Sequence, residues 1–382
     1  MFAIASDDPE EVRRVLATGE AGPNDNVGPQ SALAFTLGND QLAHKLDIVK
    51  VLLEYGADTS ELKDQDQALA KVLMDQVDDA TRYYLSKAET ALTRKTDALM
   101  KRSSFKPIAK LRYGIIGQDR ALEQLFRVLS MHNQKISTTP IVMLLCGPSG
   151  YGKSLLAQKF GGLLDVPTHT VNMTTLRSAH DLWQSYSITP ELNGNSRCTL
   201  VEFLINNEGK RAIVVLDEIE KTKEDSVLWS LLLPWESGRC SFEANSMNID
   251  VRNVVWLGTS NIGQDLIFEH HTKLHKPEEV MTRNEYVELM GSVRPRVSDR
   301  LGASVLSRVT TILPFVPFTM EEKRALASEA LSGISSDITA ELGREAMQGV
   351  VDGALEEFIP EEGARSIYRA VSSLVVDAMD LI

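Results

Sequence analysis

Pro140–Leu164 reads PIVMLLCGPSGYGKSLLAQKFGGLL. A short, unbroken apolar run, Ile141–Cys146, passes into a glycine-rich stretch, Gly147–Ser154, and then into a helix-length segment. An apolar run of this length without alternation predicts a strand buried on both faces. GPSGYGKS fits G-x-x-x-x-G-K-[ST] in the strand–loop–helix setting that the motif requires. Its glycines let backbone N–H groups converge on phosphate oxygens at the start of a helix, whose dipole favours negative charge. The residues expected around the phosphates of ATP are therefore Gly147, Pro148, Ser149, Gly150, Tyr151, Gly152, Lys153 and Ser154. Lys153 would reach the β- and γ-phosphates, and Ser154 would coordinate Mg²⁺.

Arg211–Thr222, RAIVVLDEIEKT, supplies the complement. It is a second apolar strand, and it ends in two adjacent carboxylates. Asp217 at the strand end is expected to hold Mg²⁺ together with Ser154. Glu218 is expected to face the γ-phosphate, where a carboxylate polarises the attacking water. Further short runs at Thr168–Asn172, Val254–Leu257 and Thr311–Phe315 alternate with helix-length segments, which predicts a largely parallel sheet with crossover helices. From Thr319 onward only helical patterns remain. The fold class read from the sequence is thus α/β, a P-loop module with a C-terminal helical lid.

Ahead of this module, LDIVKVLLEYGAD (Leu46–Asp58) resembles the second helix and turn of an ankyrin repeat, and DPEEVRRVLATGEAGPN resembles the same unit from a shortened preceding repeat. Each carries apolar residues at helical spacing, with Gly19 and Gly56 as left-handed stops. The partition expected is 1–62 ankyrin-like repeats, 63–108 helical linker, 109–317 α/β ATPase domain and 318–382 helical lid. The stretch from Lys87 to Arg112 is basic and reads as a solvated helix face, with an anionic partner surface as the alternative.

Composition bounds the function. Hydrophobic residues make up 43% of the 382 positions and charged residues 24%, as expected for a chain that buries a core. A net charge of −13 disfavours a nucleic-acid coat. No apolar run reaches the length of a bilayer span, so membrane insertion is not expected. MFAIASDDPEEV has no basic n-region, so neither a signal nor a transit peptide is expected. The location expected is cytoplasmic, with nuclear import left open. Cys146, Cys198 and Cys240 lack CxxC spacing and read as reduced core thiols.

LDEIEK, together with Glu236–Gly263 (ESGRCSFEANSMNIDVRNVVWLGTSNIG), resembles the AAA+ ATPases of the Clp type, and the second ATPase module of ClpB-like disaggregases in particular. A single such module behind ankyrin-like repeats is similar to the mitochondrial ClpB homologues of animals. The resemblance spans about residues 109 to 378. It implies that Asn261 is the amide of sensor 1, which orients the attacking water, and that Ile115 and Ile116 of YGIIGQDRAL pack on the adenine. Arg308 of LGASVLSRV would be the arginine finger reaching a neighbouring subunit, with Arg294, Arg296 and Arg300 as competitors. Arg365 of Gly363–Arg365 would be sensor 2. A trans arginine implies a ring, and the family implies a homo-hexamer. The function implied is an ATP-dependent protein-remodelling chaperone, with the ankyrin-like part choosing a client or adaptor. The alternatives are an ATP-driven switch that remodels a partner complex without threading it, and an ankyrin-type interaction scaffold.

One departure stands out. The family's central pore loop carries an aromatic between glycines, whereas WQSYSITPELNGNSRCTLVEF (Trp183–Phe203) places Glu191 or Leu192 there. Tyr186 is the nearest aromatic, and packing is the plainer reading of it. His270, His271 and His275, with Glu269, lie in a charged stretch that reads as an exposed loop rather than a zinc site. Trp183, Trp229, Trp235 and Trp256 read as core or interface packing.

Overall fold

The structure is a computed structural model that describes residues 2–60, 62, 77–88, 112–133, 139–188, 198–242, 247–274, 281–334 and 336–379. Much of the expected 63–108 linker, with its basic run, lies outside the described residues, as do Glu191, Leu192 and His275.

At the N-terminus, helix α1 (Pro9–Thr18) starts where Asp8 accepts the N–H groups of Glu10 and Glu11, with Pro9 in the first helical position, and it stops at Gly19 with φ 74°. Helices α2 (Ala32–Gly38) and α3 (Lys45–Glu54) follow a hairpin of two-residue strands, Asn26–Val27 and Gln30–Ser31. The apolar residues of α3, Leu46, Ile48, Val49, Val51, Leu52 and Leu53, are all buried. The helices fall where periodicity predicts them, but no ankyrin-repeat architecture is evident. A repeat stack needs like units on both sides to bury its faces. Here α3 packs instead on α4 (Asp79–Ala88), which itself packs on a helix near the C-terminus.

Beyond α5 (Asp119–Asn133) the apolar runs form a five-stranded sheet, β1 (Ile141–Cys146), β2 (Thr168–Asn172), β3 (Ala212–Asp217), β4 (Val254–Ser260) and β5 (Thr311–Pro314). The order is β2-β3-β4-β1-β5 and every pairing is parallel. All of β1 is buried, as a strand covered on both faces by crossovers requires. Helix α6 (Lys153–Leu164) leaves the glycine loop, and α7 (Arg283–Leu301) leads towards β5. Between β3 and β4 lies an antiparallel hairpin, Arg239–Phe242 with Met247–Asp250. Glu269, His270 and His271 lie on a helix, Gln264–Leu274, not on an exposed loop.

Three helices close the chain: α8 (Met320–Ser332), α9 (Ser336–Glu356, bent at Gly343) and α10 (Ala364–Met379). They pack on one another, and α8 also receives α4. Lys50 on α3 pairs with Glu329 on α8 at 2.5 Å, and Ser328 on α8 donates to Asp78 at 2.9 Å while accepting the Ala80 N–H at 3.2 Å. The N-terminal helices are thereby fastened to the C-terminal ones.

All three cysteines are free, Cys146 and Cys240 buried and Cys198 partly so. No helix among the described residues is long and apolar enough to cross a membrane. Trp235 and Trp256 are buried with their rings edge to face, 6.2 Å apart, whereas Trp229 is 60% exposed. Trp256 is fully enclosed on the central strand β4. Trp256→Ala should therefore cost about 3–5 kcal/mol, seen as a lowered midpoint of thermal unfolding, while Trp229→Ala should leave that midpoint near wild type.

Candidate active site

Parallel strands deliver their C-terminal ends to one edge of the sheet, where open α/β sheets bind ligands. Cys146 on β1 lies opposite Ser260 on β4, and Leu216 on β3 opposite Gly258. Gly147, Asp217 and Asn261 therefore leave the sheet side by side.

The glycine loop is shaped by what crowds it. Gly147 has φ +137°, and a Cβ there would stand 2.7 Å from the carbonyl oxygen of Phe315. Gly150 has φ +79°, and its Cβ would stand 1.8 Å from the carbonyl oxygen of Glu362. Both neighbours are backbone, so neither position admits a side chain. Lys153 is buried and donates to the carbonyl oxygens of Gly147 at 2.7 Å and Pro148 at 2.6 Å. Burial lowers its pKa to about 8.

Asp217 accepts from Ser154 Oγ at 3.2 Å and from Thr259 Oγ1 at 2.6 Å, both on the same carboxylate oxygen. Thr259 Oγ1 in turn accepts the Glu218 N–H at 2.9 Å, which fixes Glu218 in a left-handed backbone with φ 56°. Glu220, buried one turn on, accepts the Asn261 N–H at 2.9 Å. The hydroxyl and carboxylate of Ser154 and Asp217 form an oxygen donor pair of the kind that suits Mg²⁺.

The C-terminal helices close the other side. Ala364 N–H donates to the Gly150 carbonyl at 3.0 Å, and Arg365 Nη1 donates to Ser149 Oγ at 3.1 Å. The result is a cleft of about 360 Å³. Its polar wall carries Ser149, Lys153, Ser154, Glu218, Asn261 and Arg365, and its apolar wall carries Ile115, Ile116, Phe318, Leu326 and Tyr368.

Not every expected residue faces this space. The Tyr151 side chain is buried elsewhere, stacked on Phe318 at 4.8 Å with its hydroxyl on the Pro360 carbonyl at 2.8 Å. Arg308 is not on the cleft wall and pairs with Glu236. Among its competitors, Arg300 donates to the Glu220 carbonyl at 3.1 Å and Arg294 to the Leu306 carbonyl at 3.5 Å. Thr259, Glu220, Phe318, Leu326 and Tyr368 escaped the sequence reading. The polar Thr259–Asn261 end of an otherwise apolar strand was a usable signal for Thr259. The other four act across long separations that local patterns do not encode.

The buried ammonium sets a pH dependence. Below about pH 8 Lys153 is charged and can hold a phosphate; above it the charge is lost. ATP affinity in wild type should weaken as pH rises from 7 to 9.5, by up to about tenfold per unit at its steepest. Lys153→Ala should bind weakly throughout, with a flat profile, in a fluorescent-nucleotide titration.

Residues 142–274 match the family described as AAA domain (dynein-related subfamily). The mitochondrial disaggregase of Rattus norvegicus is 24% identical over 375 residues, covering 88% of this chain and 53% of that protein. Chaperone protein ClpB of Lactococcus lactis is 25% identical over 273 residues, covering 68% of this chain and 30% of its own. The chain thus spans about half, or less, of the length of these curated relatives. Among solved structures, Hsp104 with ATPγS and FITC casein aligns over 97% of this chain and 69% of its own, with TM-score 0.55 and 16% identity. The S. cerevisiae Hsp104–ADP complex aligns with TM-score 0.51 and 17% identity, over 98% of this chain and 69% of its own. With its parallel sheet, glycine loop and C-terminal helices, the chain carries an AAA-type P-loop module and is similar to ClpB and Hsp104.

Proposed function

We propose that this chain is an ATP-hydrolysing, protein-remodelling chaperone of the disaggregase kind, working as a homo-hexameric ring on protein clients. The observation that carries the reading is the meeting of Lys153, Ser154, Glu218, Asn261 and Arg365 in one cleft from separate parts of the chain. The names of the relatives, a mitochondrial disaggregase and ClpB, support the same class of work.

In this reading Lys153 and the loop N–H groups hold the phosphates, and Ser154 with Asp217 holds Mg²⁺, which when bound offsets phosphate charge. Glu218 takes the proton of the attacking water, and the Asn261 amide orients that water. Arg365 carries the state of the phosphates to the C-terminal helices, so that hydrolysis moves the lid over the α/β core. Ile115 and Ile116 form the adenine side. Arg308, outside its own cleft, serves the cleft of a neighbouring subunit once released from Glu236. The partition into 1–62, 63–108, 109–317 and 318–382 belongs to this proposal, with the N-terminal helices as the segment that couples a client or adaptor to the lid.

Glu218→Gln should keep ATP binding and lose turnover by about 10²-fold or more. Subunits with Arg308→Ala should be inactive alone and regain activity when mixed with Glu218→Gln subunits, since some interfaces then pair an intact Glu218 with an intact Arg308. No recovery in mixed rings would shift the finger to Arg294, Arg296 or Arg300.

Tyr186 bears on client handling. It is 58% exposed, nearby Ile188 is 56% exposed, and among the described residues its strand contact is an isolated bridge to Thr199. Packing therefore does not account for it, and an exposed aromatic can grip an extended chain without specific hydrogen bonds. This favours client translocation over the non-threading switch. Tyr186→Ala should impair ATP-dependent solubilisation of an aggregate while basal ATP turnover stays near wild type. Equal loss of both would remove Tyr186 from client contact.

A further inference from the structure

The cleft's apolar wall includes two pieces that are far apart in sequence, the turn carrying Ile115 and Ile116 and the helix α8 carrying Leu326. Both pieces are held by α4, which precedes the ATPase core. Gly117 and Gln118, directly after the two isoleucines, both have left-handed backbones with φ 75° and 61°. The N–H of Gly117 points into protein and donates to the hydroxyl of Tyr83 on α4 at 2.9 Å. Tyr83 is buried, and its hydroxyl also accepts from Lys87 Nζ at 2.5 Å.

Lys87 opens the basic stretch that the sequence suggests is a solvated helix face. Its side chain is 3% exposed rather than solvated, as is that of Arg112. Lys87 lies over the Tyr83 ring at 4.7 Å and pairs with Asp119, at the start of α5, at 2.9 Å. Glu322, in the first turn of α8, closes the group. Its carboxyl is held by the Thr319 N–H at 2.9 Å, and a Cβ on Gly117 would stand 3.1 Å from it. Burial pushes the Glu322 carboxyl up to about 7, with Lys87 acting in the opposite direction and Asp119 adding to the rise. One lysine and one tyrosine from outside the core thus sit between the turn that ends the isoleucine pair and the helix that carries the facing leucine.

We infer that Tyr83 and Lys87 are positioning residues for the base end of the nucleotide cleft, so that nucleotide affinity depends on the contact these two residues of α4 make with the 115–119 segment. The inference rests on the nucleotide reading of the cleft given above. Tyr83 fixes where Gly117, and hence Ile115 and Ile116, stand. Lys87 keeps Asp119 and Glu322 from repelling each other, and so keeps α5 and α8 at one spacing. Neither residue touches the phosphates, so their effect falls on binding and not on the hydrolytic step.

The test uses the full chain and a fluorescent adenine nucleotide, with steady-state ATP turnover beside it. Tyr83→Phe keeps the ring and removes the acceptor of a buried N–H. Its Kd and KM should rise by about fivefold to tenfold, with kcat within about twofold of wild type. Lys87→Met, which keeps the aliphatic stem, should move KM in the same direction. Tyr84→Phe is the control, because the Tyr84 hydroxyl faces Glu329 at 3.4 Å rather than the turn, and it should leave Kd unchanged. If wild type binds nucleotide and Tyr83→Phe binds it equally well, the inference is overturned. The same holds if Tyr84→Phe weakens binding as much as Tyr83→Phe, or if Tyr83→Phe lowers kcat at unchanged KM. A wild-type chain that binds no adenine nucleotide would overturn the nucleotide reading itself, and this inference with it.

Discussion

The glycine loop is clamped between two backbones, and the rest of the site follows from that constraint. On one side the end of β5 brings the Phe315 carbonyl to within 2.7 Å of where a Cβ on Gly147 would be. On the other, the turn before α10 brings the Glu362 carbonyl to 1.8 Å from a Cβ on Gly150. A side chain can swing aside, but a peptide carbonyl held in a sheet or a turn cannot. The loop therefore reports on the sheet and the C-terminal helices at once, and a shift of either must move it.

Within that clamp the polar groups satisfy one another. A buried ammonium without partners would be costly, and the Gly147 and Pro148 carbonyls supply partners to Lys153. Glu218 occupies a left-handed backbone, which costs a non-glycine residue about 1–2 kcal/mol. Its N–H bond to Thr259 returns an amount of the same order, about 0.5–1.5 kcal/mol. Thr259 also donates to Asp217, so one hydroxyl holds both the Asp217 carboxylate and the Glu218 backbone at the end of β3.

The same logic extends outward through α4. Tyr83 and Lys87 fill the space between the 115–118 turn and α8, and Ser328 and Glu329 tie α8 back to Asp78, Ala80, Tyr84 and Lys50. The N-terminal helices are thus joined to the wall of the cleft through α8, the helix that carries Leu326.

How much of this was legible differs by element. The strands could be read because an unbroken apolar run such as Ile141–Cys146 or Ala212–Leu216 is too short for a buried helix and is bounded by turn signals, which fits a strand covered on both faces. The loop and its carboxylate partners could be read because phosphate and Mg²⁺ chemistry needs those residue types in that order. Helices α1 and α3 were legible as helices, since periodicity is local, but not as part of an ankyrin stack, because what a helix packs against is decided by remote residues. Lys87 looked solvated for the same reason: only folding brings Asp119 and Glu322 to it.

The sequence by itself determined the strands and helices, the glycine loop and the pair of carboxylates, Asp217 and Glu218, at the end of β3, all of which rest on residues close together in the chain. The tertiary structure alone decided that Tyr151 packs on Phe318, that Arg308 turns from its own cleft to Glu236, that Thr259 and Glu220 hold Glu218 and Asn261, and that α4 supports the cleft wall. Each of those contacts joins groups tens to hundreds of residues apart, and a burial or a hydrogen bond between them exists only once the chain has closed those distances.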